Sequence, residues 1–194
     1  MTPFSVLHVC MGNICRSPMA ERLFLVALSD QQELVYSHSA GTGGWHAGES
    51  MNPAASRQVL ARGGDVTGFA ARKLDSGLIE GSDLVLTATV DQYDRVLELR
   101  PDAAGRTFVL GEWGRLQLSH AGPLPPFDGD AKSLYERAVG LVEALDAARA
   151  GARPRPSDDL DDPWGLGEMT FARVADEIEL TLRPLADVIV NRAS

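Results

Sequence analysis

Cys10 and Arg16 bracket a C-x5-R segment, Cys10-Met11-Gly12-Asn13-Ile14-Cys15-Arg16, and Ser17 follows it. A thiolate is a strong nucleophile. A guanidinium fork can grip two oxygens of a phosphate at once. Before the segment, Phe4 to Val9 is an apolar run that suits a buried strand. After it, Ser17-Pro18 reads as N-cap and first helical residue, and Met19, Ala20, Leu23, Phe24 and Ala27 recur at helical spacing. A loop curled over a helix N-terminus is an anion nest, because unpaired N–H groups point out of that end. The same field, with Arg16 beside it, favours the thiolate form of a cysteine. Gly12 is expected to supply backbone freedom, and Ser17 to hydrogen-bond the sulfur. The segment therefore predicts phosphoryl transfer to Cys10, with N–H donors around the equatorial oxygens. The G-x4-G-K-[ST] pattern of a nucleotide-binding loop is absent.

Transfer of a phosphoryl group from an oxygen ester also benefits from a proton donor for the leaving oxygen. Asp158, Asp159, Asp161 and Asp162 are the candidates near the C-terminus. A carboxyl beside Pro163 and Trp164 and facing a phosphate suits the task. On residue types alone, a solvated acidic turn is the favoured reading. His8, His38, His46 and His120 lack ligand spacing, so neither metal nor cofactor is expected. Trp113 reads as a packing residue.

The elements that must position these groups alternate. After the first strand and helix, Leu34–Ser39 is a second strand, ended by Gly41-Thr42-Gly43-Gly44. A helix runs from Asn52-Pro53 to Gly63-Gly64. Asp83–Ala88 is a third strand, Asp91–Leu99 a helix stopped by Pro101, and Arg106–Leu110 a fourth strand. That order predicts a parallel α/β sheet with right-handed crossovers. Residues 119–130 read as loop, and Leu134 to Ala148 as an amphipathic helix. Residues 151–162 form a polar stretch, and Phe171 to Leu182 a final helix on the sheet.

The chain of 194 residues fits one domain, 1–194, with an insertion around residues 113–160. Its net charge of −9 argues against nucleic-acid and anionic-membrane partners. No apolar stretch is long enough to span a bilayer. The first ten residues lack a basic leader region and read as a strand. Two cysteines five apart cannot staple a secreted scaffold, so a reduced, cytoplasmic enzyme is expected. The sequence leaves the oligomeric state open between monomer and weak dimer.

Val9-Cys-Met-Gly-Asn-Ile-Cys-Arg-Ser-Pro-Met-Ala-Glu21 resembles the active-site signature of the low-molecular-weight protein tyrosine phosphatases. Ser39-Ala-Gly-Thr-Gly-Gly-Trp-His46 is similar to that family's second loop, and Asp161-Asp-Pro-Trp-Gly165 to its acid-bearing loop. The resemblance implies a four-stranded parallel sheet flanked by helices on both faces. It implies Cys10 as nucleophile, Arg16 as phosphate clamp and Asp162 as general acid, with Asp161 the runner-up. Met11 to Ser17 would form the phosphate-binding loop, and Asn13, Ser17 and Ser39 the network that shapes it. Ile14, Trp45 and Trp164 would wall a slot for the aryl group of a tyrosine-phosphorylated protein. Two departures bear on support from behind the loop. Phe69 stands where a histidine often precedes the Arg72 position, and Ala88-Thr89 where Met-Asp often follows the third strand.

Cys15 reads either as a space-filling residue or as a resolving thiol that closes a disulfide with oxidised Cys10, and the resemblance favours the second. Three other functions compete with phosphotyrosine hydrolysis. Arginine phosphatases share the fold but tend to carry Thr where Ile14 narrows the slot. An arsenate reductase needs further cysteines downstream of Cys15, and the sequence has none. An inactive phosphopeptide-binding module would have lost the nucleophile or the acid, and both are present.

Overall fold

The computed structural model describes residues 3–119 and 122–192. His120, weighed above as a ligand, and the first two residues of the chain lie outside the described residues. Four strands form one sheet: β1 (Phe4–Cys10), β2 (Val35–Gly41), β3 (Leu84–Thr87) and β4 (Thr107–Val109). Their order is β2-β1-β3-β4, and every pair is parallel. This is the sheet the sequence predicts. β1 is central and buried at all seven positions, which is why five of its seven residues are apolar without a strict alternation, Ser5 and His8 being its buried polar groups.

Among the described residues seven α-helices accompany the strands: α1 (Arg16–Leu28), α2 (Pro53–Ala61), α3 (Ser76–Glu80), α4 (Val90–Leu99), α5 (Leu110–Ser119), α6 (Ala131–Arg149) and α7 (Glu168–Ile189). Successive strand residues point to opposite faces. Phe4 and Val6 of β1, with Leu84 and Leu86 of β3, enter the larger core built with α1, α2, α5, α6 and α7. Leu7, Val9 and Val85 enter the smaller core, with Ile79 of α3 and Val96 of α4. Helices therefore cover both faces. Between residues 113 and 160, read above as an insertion, Leu134, Leu141 and Leu145 of α6 are buried in the larger core.

Several boundaries differ from the sequence reading. Helix α1 starts at Arg16, with Cys15 at the N-cap and no side-chain cap. Ser17 is thus inside the first turn, and its hydroxyl is spent elsewhere. Pro18 still fits, because a first-turn residue needs no amide hydrogen. Strand β4 stops at Val109 and α5 begins at once, so Trp113 is helical. Its fully buried ring meets Phe108 edge-on at 5.0 Å. Helix α3, capped by Asp75 through the Leu78 amide, is too short for periodicity to reveal. As expected, Asn52 caps α2 by accepting from the Ala54 amide.

Candidate active site

The site lies at the carboxyl end of β1. From β1 the chain crosses to β2 on one side, and β3 pairs on the other. Such a switch point opens a crevice in a parallel sheet. Cys10 ends β1, residues 11–15 turn, and α1 begins at Arg16. Four carbonyls of the turn are claimed by amides beyond it. Thr42 N donates to Cys10 O, Gly43 N to Met11 O and Asn52 N to Ile14 O, at 2.8–2.9 Å, and Met19 N donates to Cys15 O at 3.2 Å. The acceptors are spent on the outside, as a cradle of N–H groups requires. Gly41 makes this fit possible, since a Cβ there would sit 2.6 Å from Met11 O.

The loop's left-handed residue is Asn13, at φ 55°, and not Gly12. Asn side chains tolerate that region when they bond locally, and Asn13 does so on both sides. Its Nδ2 donates to Ser17 Oγ at 2.9 Å and Ser39 Oγ at 2.8 Å. Its Oδ1 accepts from the Arg72 amide at 2.9 Å. Ser17 Oγ lies 3.0 Å from Cys10 Sγ, and the Asn13 amide donates to the same sulfur at 3.3 Å. Ser39 Oγ donates to Glu21 Oε2 at 2.6 Å. Burial raises the Glu21 pKa above the usual carboxylate value, opposed by the Ser39 bond and by Arg22 and Arg72.

The acid-bearing loop closes the other side. Arg16 is buried; its Nη1 donates to Leu160 O at 3.0 Å and its Nη2 to Asp162 Oδ2 at 2.7 Å. Asp162 Oδ1 accepts from the Trp164 amide at 3.1 Å. Asp161 points away to Arg173 at 2.8 Å. The four acids are not one solvated turn: Asp158 is buried against Arg115, and Asp159 Oδ1 accepts from the Val90 amide at 2.8 Å, at the start of α4.

Cys10, Met11, Gly12, Ile14, Cys15, Arg16, Trp45, His46, Asp162 and Trp164 line one cleft of about 190 Å³. Trp45 and Trp164 are 65% and 63% exposed, so they stand as open walls rather than core. Asn13, Ser17 and Ser39 are buried behind the loop and face the network instead of the cleft. The sequence reading took His46 no further than the pocket rim; it lines the cleft, packs its ring edge on Gly12 and has its Nδ1 2.8 Å from Glu49 Oε2. The same reading missed Arg72 and Glu21, whose only signal was their place in motifs read for other residues. Phe69 packs against the core, with the Arg22 guanidinium 6.0 Å from its ring centre. Thr89 Oγ1 and Arg16 Nε are buried with no hydrogen-bond partner among the described residues. Cys10 and Cys15 are both free thiols. Burial, then the nearby Cys10 and Asp162, pushes the Cys15 thiol up to about 12, against the pull of Arg16.

Comparison with known proteins places this geometry. Residues 5–149 match the family described as low molecular weight phosphotyrosine protein phosphatase. A low molecular weight protein-tyrosine-phosphatase, Ptp of Acinetobacter johnsonii, is 38% identical over 109 residues, covering 56% of this chain and 73% of the relative. One from Streptomyces coelicolor is 40% identical over 100 residues, covering 50% of this chain and 60% of the relative. Among solved structures, the tyrosine phosphatase Wzb from Escherichia coli K30 superposes with a TM-score of 0.66 at 22% identity, over 96% of this chain and 98% of the other. The YwlE arginine phosphatase from Geobacillus stearothermophilus gives 0.64 at 23%, over 95% and 92%. These two likenesses establish the fold and leave the choice of substrate to the site.

Proposed function

The chain belongs to the low molecular weight phosphotyrosine protein phosphatase family, and from that premise we propose that it hydrolyses phosphotyrosine on proteins through a phosphocysteine at Cys10. One observation carries the reading: Arg16 and Asp162, 146 positions apart, meet at 2.7 Å in the cleft that holds Cys10. On this reading the entering phosphate monoanion takes over the Arg16 guanidinium, frees Asp162 and passes its proton to the Asp162 carboxylate. The Cys10 thiolate attacks phosphorus in line, and the bond from phosphorus to the phenol oxygen breaks. Its electron pair leaves on that oxygen, which takes the proton of Asp162. In the second step the Asp162 carboxylate accepts a proton from water, and that water's oxygen attacks phosphorus. The phosphorus–sulfur bond breaks, and Ser17 hydrogen-bonds the departing thiolate.

Ile14 narrows the slot that Trp45 and Trp164 flank, which suits the flat ring of an aryl group. The test compares phosphate release from peptides carrying phosphotyrosine, phosphoserine or phosphoarginine. Phosphotyrosine should exceed the others by roughly 100-fold in kcat/KM, and acid quenching should trap phosphate on Cys10. A preference for phosphoarginine, or turnover without a phosphocysteine, defeats the reading.

The same proposal includes a cytoplasmic location, where a reducing milieu keeps the nucleophile a thiol, and protection by Cys15. Peroxide converts Cys10 to a sulfenic acid. Attack by Cys15 sulfur then forms the disulfide and releases water. Because burial keeps the Cys15 thiol protonated, closure should be slow at neutral pH and faster as pH rises. Stable sulfinic acid on Cys10 after peroxide, with no disulfide, would rule this out.

A further inference from the structure

Behind the phosphate loop, a buried polar chain runs to β2 and on to the start of β1. Arg72 is its hub. The Arg72 amide donates to Asn13 Oδ1 at 2.9 Å, and its Nε donates to Ser39 O at 2.9 Å. Its Nη2 lies 2.7 Å from His38 Nδ1. A guanidinium has no acceptor and is always charged, so His38 Nδ1 must be the acceptor there. The imidazole proton must then sit on Nε2. That nitrogen has two oxygens within reach, Ser82 Oγ at 3.1 Å and Ser5 Oγ at 3.2 Å. Ser82 Oγ already donates to Leu78 O at 2.7 Å, so it is free to accept from His38. Tyr36 stacks over the imidazole at 4.6 Å and 19°, closing it from solvent.

We infer that His38 is a positioning residue for the phosphate loop: as a neutral acceptor it fixes Arg72, and Arg72 fixes the left-handed Asn13 that aims Ser17 at Cys10. The steps are consecutive. Without an acceptor at Nδ1, one arm of a half-buried guanidinium loses its partner, and Arg72 can turn toward solvent. The Arg72 amide stays held, since Gly41 N donates to Arg72 O, but Nε leaves Ser39 O, and the Ser39 hydroxyl that accepts from Asn13 Nδ2 loses its fixed place. Asn13 is the one loop residue held at positive φ, a conformation that costs energy unless its surroundings enforce it. Its Nδ2 orients both Ser17 and Ser39, so slack at Arg72 reaches the hydroxyl on the nucleophile. Phe69, on the segment leading to Arg72, has no side-chain hydrogen-bonding atom, so the brace comes from β2. Burial, with the nearby Arg72 charge, also holds the His38 pKa down to about 4. The brace is therefore in its neutral form wherever the enzyme is assayed near neutrality.

The test uses the full chain with His38→Gln and His38→Leu. Glutamine can still offer an acceptor to Arg72, whereas leucine cannot. Folding is checked by circular dichroism. The readouts are kcat and KM on an aryl phosphate and the inhibition constant of inorganic phosphate. His38→Leu should lower kcat by about tenfold or more, as sub-ångström misplacement does, and weaken phosphate binding. His38→Gln should restore both to within about threefold. A folded His38→Leu with wild-type kcat and phosphate binding overturns the inference, and so does a His38→Gln as impaired as the leucine variant. If the leucine variant does not fold, nitrogen-15 NMR of the wild-type imidazole decides: Nε2 protonated and Nδ1 accepting is required, and the reverse tautomer sinks the idea. The inference rests on the phosphatase reading only for its kinetic arm. Phosphate binding and the tautomer are measurable even if the wild-type protein turns over no phosphotyrosine.

Discussion

The phosphate loop and the acid-bearing loop face each other across one cleft, yet they are fastened by different chemistry. Residues 10–17 are held by buried neutral hydrogen bonds: backbone amides from residues 42, 43 and 52 outside the loop, and the network of Asn13, Ser17 and Ser39 behind it. The loop from Asp158 to Trp164 is buried at its root and exposed at its tip on either side of Pro163. Its root is Asp158 against Arg115, with Asp159 and Leu160 bonded to Val90 and Ala88. At its tip, Asp162 and Trp164 are exposed, and the main anchor of Asp162 is the Arg16 guanidinium, which a substrate phosphate would claim. Phosphate binding asks for donors fixed in advance. Protonating a leaving group asks for a carboxyl that can come free of its cation. The two loops divide those demands between them.

The largest effect should come from the rigid side. Cys10→Ser removes the nucleophile while keeping the cradle, so turnover of an aryl phosphate should fall at least roughly 10⁴-fold. Phosphate should still bind. If serine keeps substantial activity, Cys10 is not the attacking atom and the division drawn above has the wrong centre.

The next effect belongs to the acid-bearing side and has two signs. Asp162→Asn removes the proton donor, so kcat on phosphotyrosine should drop by about 10²- to 10³-fold. The loss should shrink for p-nitrophenyl phosphate, whose leaving group needs little protonation. Inorganic phosphate should inhibit more strongly, because Arg16 no longer has a carboxylate partner in the free enzyme. Weaker phosphate inhibition would mean that Asp162 helps to build the anion site instead of yielding to it.

Acid should act first behind the phosphate loop. Burial, with His38 nearby, lowers the His8 pKa to about 3, and burial with Arg72 lowers that of His38 to about 4. Both stay neutral in the native state below pH 6.5, whereas the unfolded chain takes up protons there. Stability is therefore complete above about pH 6.5 and falls as pH drops toward those values, by at most about 1.4 kcal/mol per pH unit for each histidine. Glu21, raised by burial, opposes this in part. Urea unfolding at pH 7.5, 6 and 4.5 should show the decline, and His38→Gln should make it shallower. A flat profile from pH 7.5 to 4.5 contradicts the burial argument.

The same contrast explains what could be read from the sequence. Everything at the front of the phosphate loop is contiguous, so spacing alone exposed Cys10, Arg16 and the strand and helix around them. The acid could be placed only by resemblance, because nothing local separates Asp162 from Asp161. Their difference is that one meets Arg16, 146 positions away, and the other Arg173. The brace was illegible for the same reason. His38, Arg72 and Glu21 carry no spacing of their own, and their roles exist only once β1 and β2 are in register, with His8 beside Ser39. Ser17 misled in the opposite direction, since a Ser-Pro pair signals an N-cap, but here the serine hydroxyl is drawn to Cys10 and the helix begins two residues earlier, at Arg16.

The smallest effect separates the root of the acid-bearing loop from the cradle. Asp158 accepts from Arg115 Nε and Nη2 at 3.2 and 2.9 Å and from the Arg155 amide at 2.8 Å. Burial raises its pKa, but these bonds outweigh it and leave the carboxyl below its usual value. Its backbone rests on the first turn of α5, where Gly111 leaves no Cβ to meet Asp158 O at 2.5 Å. Asp158→Asn keeps the volume and removes the charge. Since Arg115 is partly exposed, the cost should be about 1–2 kcal/mol, a fall in Tm of about 3–6 °C for a chain of this length. A looser root lets Asp162 wander, so kcat should drop by roughly threefold while the phosphate inhibition constant stays put. Ser39→Ala, on the rigid side, should shift phosphate binding as well as kcat. If Asp158→Asn weakens phosphate binding as much as Ser39→Ala does, the two loops form one rigid unit.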